Sequence, residues 1–114
     1  MANDAFKKRE KGEETKFKLG EELRFKAESR RNRMLGLWAG KKMGFDEAGC
    51  KAYAKDVVAS DFDEPGIEDV VRKVMSDFKK NNIDVTEADV RAELERLYAL
   101  ASAEIAEEYP DALK

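Results

Sequence analysis

Four stretches of this sequence place their apolar residues three and four positions apart, the spacing that gives an α-helix one buried face. No stretch of the sequence keeps the strict alternation of a half-buried β-strand. A helix with one apolar stripe must bury that stripe against a neighbour, and short connections favour antiparallel neighbours. The spacing therefore predicts an all-α fold, a four-helix bundle, and 114 residues suffice for one such domain.

The first predicted helix covers about residues 20–43 and ends at Gly44. Lys41 and Lys42 suit its C-terminal end, where the helix dipole favours cations. The spacing of its apolar residues predicts the buried stripe Leu23, Ala27, Met34, Leu37 and Trp38.

Capping and breaking residues delimit the other three helices. Asp46 predicts the N-cap of the second helix, and Thr86 with Asp89 predicts a capping box at the start of the fourth. The breaker run 61–66 separates the second and third helices, and Asn81-Asn82 ends the third. The three predicted stripes are Cys50, Tyr53, Ala54, Val57 and Val58; Ile67, Val70, Val71, Val74, Met75 and Phe78; and Val90, Leu94, Leu97, Tyr98, Ala101 and Ile105.

The composition argues against most catalytic and metal chemistry. There is no histidine, the commonest general base and metal ligand, and the one cysteine, Cys50, cannot form an internal disulfide. The carboxylates of the run 61–64 lack the ligand spacing of a calcium loop. No apolar run reaches the length of a membrane span. We therefore expect a protein that is not an enzyme, takes no metal or cofactor, and does not insert into a membrane.

Residues 1–19 form a highly charged leader to the predicted bundle, which then comprises residues 20–114. The leader carries six basic and four acidic side chains, and its aromatic residues are Phe6 and Phe17. These two lie 11 residues apart, which places them on nearly the same side of a helix. Two apolar anchors cannot stabilise such a helix alone, and Gly12 weakens it further. The prediction is a mobile arm, disordered when free and helical when bound.

A basic run on the first helix leaves two further interpretations open. Arg24, Arg30, Arg31 and Arg33 could contact a nucleotide or a nucleic acid, although no known nucleic-acid motif accompanies them. They could equally pair with the acidic C-terminal half, since residues 1–44 carry a net charge of +6 (13 basic, 7 acidic) and residues 45–114 one of −9 (9 basic, 18 acidic). A helical adaptor that binds an unrelated protein is the other alternative.

Several segments resemble one known family. The run Arg30-Arg31-Asn32-Arg33-Met34-Leu35-Gly36-Leu37-Trp38-Ala39, with 25–28 before it, is similar to the signature of the zeta subunit family of bacterial rotary ATP synthases. Segments 52–58 and 68–74 resemble the second and third helices of that family. Phe6, Arg9-Glu10 and Glu14-x-Lys16-Phe17 resemble its inhibitory segment.

The resemblance implies an inhibitor of ATP hydrolysis that acts on the proton-translocating rotary ATP synthase. Members of the family are four-helix bundles whose N-terminal arm enters a catalytic interface of the enzyme head and blocks rotation. The implied partners are the alpha, beta and gamma subunits, and the implied location is the cytoplasm, peripheral at the inner membrane through the synthase. We expect a monomer when free and no nucleic acid partner. The residues expected to bind the enzyme are Phe6, Arg9, Glu10, Glu13, Glu14, Lys16 and Phe17, with possible secondary contacts from Arg24, Arg30, Arg31 and Arg33.

Overall fold

A computed structural model of the chain describes residues 19–61 and 66–110. Its four α-helices are α1 (Glu21–Lys42), α2 (Glu47–Ser60), α3 (Glu68–Lys80) and α4 (Glu87–Glu108). The long helix α1 packs most extensively on α2 and then on α4, and α3 contacts all three other helices. No strand occurs in the described ranges. The predicted all-α four-helix fold is confirmed.

The helix ends follow the capping chemistry in the sequence. Asp46 caps α2, because its carboxylate accepts a hydrogen bond of 2.7 Å from the Gly49 backbone N–H. Thr86 and Asp89 form the capping box of α4, with bonds of 3.0 and 3.2 Å between side chain and backbone. Asn82, just after α3, has a φ of 57°, a left-handed conformation that asparagine tolerates better than most residues.

The main core draws apolar side chains from all four helices. Phe78 of α3 is the largest fully buried side chain, and Trp38 of α1 packs edge-on against it with ring centroids 5.9 Å apart. The buried members of this cluster are Leu35, Ala39, Tyr53, Val57, Val70, Val71, Val74, Phe78, Val90, Leu94 and Leu97. The predicted stripes of α3 and α4 therefore face the interior.

The predicted stripe of α1 is wrong at one position. Leu37 is exposed, whereas Leu35, absent from the prediction, is completely buried. The buried face of α1 follows the four-residue interval Leu23, Ala27, Arg31, Leu35 and Ala39, with Asn32, Gly36 and Gly40 beside it. Half of these positions are polar or glycine. The spacing of apolar residues alone therefore predicts a stripe that is rotated around α1 from the face that is actually buried.

Two glycines set the distance between α1 and α2. A Cβ atom added to Gly36 would lie 2.5 Å from the Cα of Ala54, and one added to Gly40 would lie 3.1 Å from the Cys50 sulfur. No other residue type fits at Gly36 unless the helix backbones separate. Cys50 is half-buried in this contact, and its thiol faces the Phe45 carbonyl at 3.6 Å.

Polar groups also enter the interior. Within the described residues, buried side-chain atoms of Asn32, Asp61, Asp69 and Ser102 have no hydrogen-bond partner. Asp61 follows α2 as its C-cap, where the helix dipole disfavours a negative charge. Burial raises the pKa of Asp61 above its usual range, the charge of Asp69 raises it further, and Asn32 and Arg31 only partly offset this. Folding therefore raises the free energy of the charged form of Asp61 relative to its protonated form.

Replacing Gly36 with alanine should destabilise the bundle. Overpacking against the α2 backbone costs about 1–3 kcal/mol, more than the roughly 1 kcal/mol that alanine gains over glycine in a helix. We expect a lower melting temperature in calorimetry or circular dichroism. The control is Gly20→Ala, because nothing lies within 4 Å of a Cβ at Gly20. Equal melting temperatures for Gly36→Ala and the native chain would contradict the close helix contact.

Replacing Asp61 with asparagine should stabilise the protein at neutral pH. A raised folded-state pKa means that the contribution of Asp61 to stability is fully present below its unfolded-state pKa and is lost as pH rises through the folded-state value. Removing the charge from the end of α2 should add about 0.3–1 kcal/mol at pH 7. The gain should vanish near pH 3, which urea unfolding at both pH values measures. The control is Asp56→Asn on the exposed side of α2. A loss of stability at pH 7 for Asp61→Asn, with no such loss for the control, would contradict the expected stabilisation.

Candidate functional site

The predicted arm residues precede the first residue that the structure describes. Phe6, Arg9, Glu10, Glu13, Glu14, Lys16 and Phe17 lie outside the described residues, so their roles stay predictions. The end of the bundle at which the arm begins is described, and its geometry determines how the arm is attached.

Leu19 anchors that end. Its side chain is 8% exposed and packs with Leu23, Ala27 and Ile105 in a second apolar cluster, against which Tyr98 lies. Leu19 is the last residue of the predicted arm, and its side chain packs with the bundle. A signal for this was present in the sequence, because Leu19 lies four residues before Leu23 and eight before Ala27.

Gly20 is the N-cap residue of α1 and forms no side-chain capping hydrogen bond. Its backbone is extended, with φ −60° and ψ 165°, and its carbonyl accepts a 2.8 Å hydrogen bond from the Arg24 N–H. The side chains of Asp46 and Thr86 cap α2 and α4, but glycine offers no acceptor to the first-turn N–H groups of α1. Glu21 and Glu22 bring negative charge to this positive end of the helix.

An open groove of about 740 Å³ lies along α1 beside this start. Phe25, which no buried stripe of α1 includes, is 57% exposed on its wall. Val58 of α2 and Ile105 of α4 contribute further apolar surface, and Tyr109 lies at the end of α4. The groove thus combines apolar surface with the side chains of the basic run.

Arg30 is held by the acidic end of α4. Its guanidinium donates to Glu104 at 3.1 Å and to both carboxylate oxygens of Glu108, one of them at 2.9 Å. These contacts raise the pKa of Arg30 and lower that of Glu108, mainly through their shared hydrogen bonds. The prediction that the basic run pairs with the acidic C-terminal half is confirmed for Arg30.

Arg31 points into the protein. Its side chain is 7% exposed, its Nε donates to the Asn32 amide oxygen at 3.0 Å, and its guanidinium carbon lies 5.6 Å from the centre of the Tyr98 ring. Burial lowers its pKa, although Glu28 and Asp61 oppose that effect. Arg24 and Arg33, in contrast, are exposed. The four arginines therefore do not form one continuous cationic surface.

Further features of the described ranges bear on metals and membranes. Among residues 19–61 and 66–110, no three carboxylate or cysteine side chains come together as metal ligands could. Over the same ranges, no helix combines the length and the apolar character needed to cross a membrane.

Comparison with known proteins identifies the family. The family model described as ATPase inhibitor subunit zeta matches residues 2–104. A protein solved by solution NMR is similar to this chain at 44% identity with a TM-score of 0.67, over 75% of this chain and 98% of its own length. A comparison with curated proteins gives no match. Because the family model covers both the arm and nearly all of the bundle, the chain belongs to the ATPase inhibitor subunit zeta family.

Proposed function

We propose that this protein inhibits ATP hydrolysis by the bacterial rotary ATP synthase, with residues 1–19 entering a catalytic interface of the enzyme head and blocking rotation. The observation that carries the proposal is the family match over residues 2–104, which includes the arm. Residues 20–114 remain outside the interface as the bundle. The protein acts as a regulator at the synthase, and the alpha, beta and gamma subunits are its partners.

The energetics of the arm favour an enclosed target. Ordering roughly 15 residues costs about 1–2 kcal/mol each in backbone entropy. Phe6 and Phe17 return only about 1.5–3 kcal/mol apiece when they are buried. A deep cleft between subunits can supply the remaining apolar contacts and satisfy the charges of Arg9, Glu10 and Lys16, which an open surface cannot.

The attachment of the arm suits this role. Leu19 packs against Leu23 and Ile105, so the arm leaves the bundle from a fixed point. The bundle packs four helices together, two of them 22 residues long, and is too large to follow a single helix into a cleft. Steric bulk outside the interface and an inserted arm together would oppose rotation.

Binding of a nucleic acid or a nucleotide through the basic run has less support. Arg30 is committed to Glu104 and Glu108, and Arg31 is buried beside Asn32 and Tyr98. Of the four arginines, Arg24 and Arg33 are classed as exposed. Measurable DNA or RNA binding, with an affinity that falls steeply as the salt concentration rises, would be needed to support that alternative.

Truncating the two aromatic anchors should weaken inhibition. Phe6→Ala and Phe17→Ala each remove about 1.5–3 kcal/mol of burial, which predicts a roughly 10- to 150-fold higher inhibition constant in ATP hydrolysis assays with the purified cognate head. Deletion of residues 1–18, which keeps Leu19 in place, should abolish inhibition.

The matched control for these variants is Leu37→Ala, which truncates an exposed apolar side chain on α1. It should inhibit like the native chain. Undiminished inhibition by the deleted protein would assign inhibition to the bundle, and absence of inhibition by the native protein would favour the adaptor alternative.

A further inference from the structure

We propose that the open groove beside the start of α1 is a second contact with the enzyme head, with Phe25 as its anchor. The surface that it binds on the head is apolar and carries carboxylates. This inference rests on the proposed function, because it takes the head of the synthase as the partner. It concerns the bundle, and it holds whatever shape the arm adopts in the cleft.

The exposure of Phe25 is the first observation. In residues 19–61 and 66–110, Phe25 is the most exposed of the large apolar side chains, at 57%. Phe45 packs edge-on against Tyr53 with ring centroids 5.9 Å apart, whereas Phe25 makes no ring contact within the same ranges. Phe25 also belongs to neither apolar cluster of the bundle. Packing of the bundle therefore gives no reason for a phenylalanine here, and its ring is free to bind a partner.

The groove surrounds this ring with further apolar surface. Its wall on α1 consists of residues at three- and four-residue intervals, so that one face of the helix is directed into it: 22, 25, 26, 29 and 33. Val58 of α2 and Ile105 and Tyr109 of α4 line its other sides. A groove between helices with apolar walls suits the apolar side of a partner helix.

The charges on the wall indicate which partner the groove favours. Arg30 and Glu108 neutralise each other through their hydrogen bonds. Lys26, Arg33 and Glu22 remain, which leaves the wall with an excess of positive charge. Arg33 forms no hydrogen bond or ion pair with another residue of the described ranges. Exposed cations beside apolar surface complement a partner surface that carries carboxylates.

The place of the groove in the chain selects the enzyme head as the partner. Leu19 packs on the bundle and directly follows the inhibitory arm, so this end of α1 lies next to the head when the arm is in the cleft. Phe25 is only five residues from Gly20, or about 8 Å along a helix. Leu37, another exposed apolar residue of α1, is about 25 Å from Gly20. Among the exposed apolar side chains of α1, Phe25 is therefore the one that the head can reach.

Replacing Phe25 with alanine should weaken inhibition and leave the bundle folded. The part of the ring that is exposed in the free protein loses its burial on the head. This loss predicts an inhibition constant about 5- to 30-fold higher in ATP hydrolysis assays with the purified cognate head. Phe25→Leu should restore most of the inhibition. The melting temperature should change little, and the matched control is Leu37→Ala, because Leu37 lies on the same helix outside the groove.

Replacing Arg33 with glutamine tests the charge of the partner surface. Association with the head at low salt should slow by about two- to fivefold and depend less on salt, because the attraction to carboxylates is reduced. Lys41→Gln removes an equal charge from the last turn of α1 and is the control. Equal effects of the two substitutions would contradict a carboxylate-bearing surface at the groove.

A photoreactive benzophenone side chain at position 25 identifies what binds in the groove. In the complex of the full chain with the head, it should crosslink to a subunit of the head, whereas the same group at position 37 should not. A crosslink to the chain's own arm or to a second copy, or no crosslink at all, would overturn the inference.

The inhibition assay separates this inference from the proposed function. If the native protein inhibits and Phe25→Ala inhibits equally well, the second contact is refuted and the proposed function stands. Equal weakening by Phe25→Ala and Leu37→Ala would also refute the contact. Failure of the native protein to inhibit would refute the proposed function, and this inference would fall with it.

Discussion

The close approach of α1 and α2 at Gly36 and Ala54 is the contact on which the rest of the bundle depends. Because a side chain at Gly36 would meet the backbone of Ala54, the two helices lie nearer than ordinary side chains allow. That proximity turns Leu35 and Ala39 into the main core and places Trp38 against Phe78. It also fixes α1 as a long element shared by both apolar clusters, so the position of Leu19 is set by packing along the whole helix.

The basic run that dominates the sequence is used inside the protein as much as on its surface. Arg30 joins α1 to the acidic end of α4, and Arg31 lies under Tyr98 with its charge buried. A buried charge is costly unless its partners are arranged around it. Contacts within the fold thus compensate part of the charge difference between the two halves of the chain. These contacts lie close to the groove and to Leu19.

Local chemistry made most of the fold predictable from the sequence. Asp46, Thr86 and Asn81-Asn82 bound their helices as expected, because capping and helix termination depend on a few neighbouring residues. The buried face of α1 was not predictable in full, since glycine and Arg31 occupy it for reasons that lie on α2 and α4. The packing of Leu19 was not predictable either, because its partner Ile105 is distant in sequence. The roles of the arm residues stay predictions, because these residues lie outside the part of the chain that the structure describes.

Trp38 provides an intrinsic fluorescence probe of the packing of this protein. It is the chain's single tryptophan, it packs against Phe78, and the Lys42 ammonium lies 5.2 Å from its ring centre. It is also 18 residues along α1 from Gly20, or about 27 Å at the rise of a helix. Its fluorescence should therefore follow separation of α1 from α3 and stay silent when the arm alone changes shape. A dye on the arm would report the change of shape in the arm. Recorded together in one stopped-flow experiment, the two fluorescence signals would distinguish docking of the arm from unfolding of the bundle.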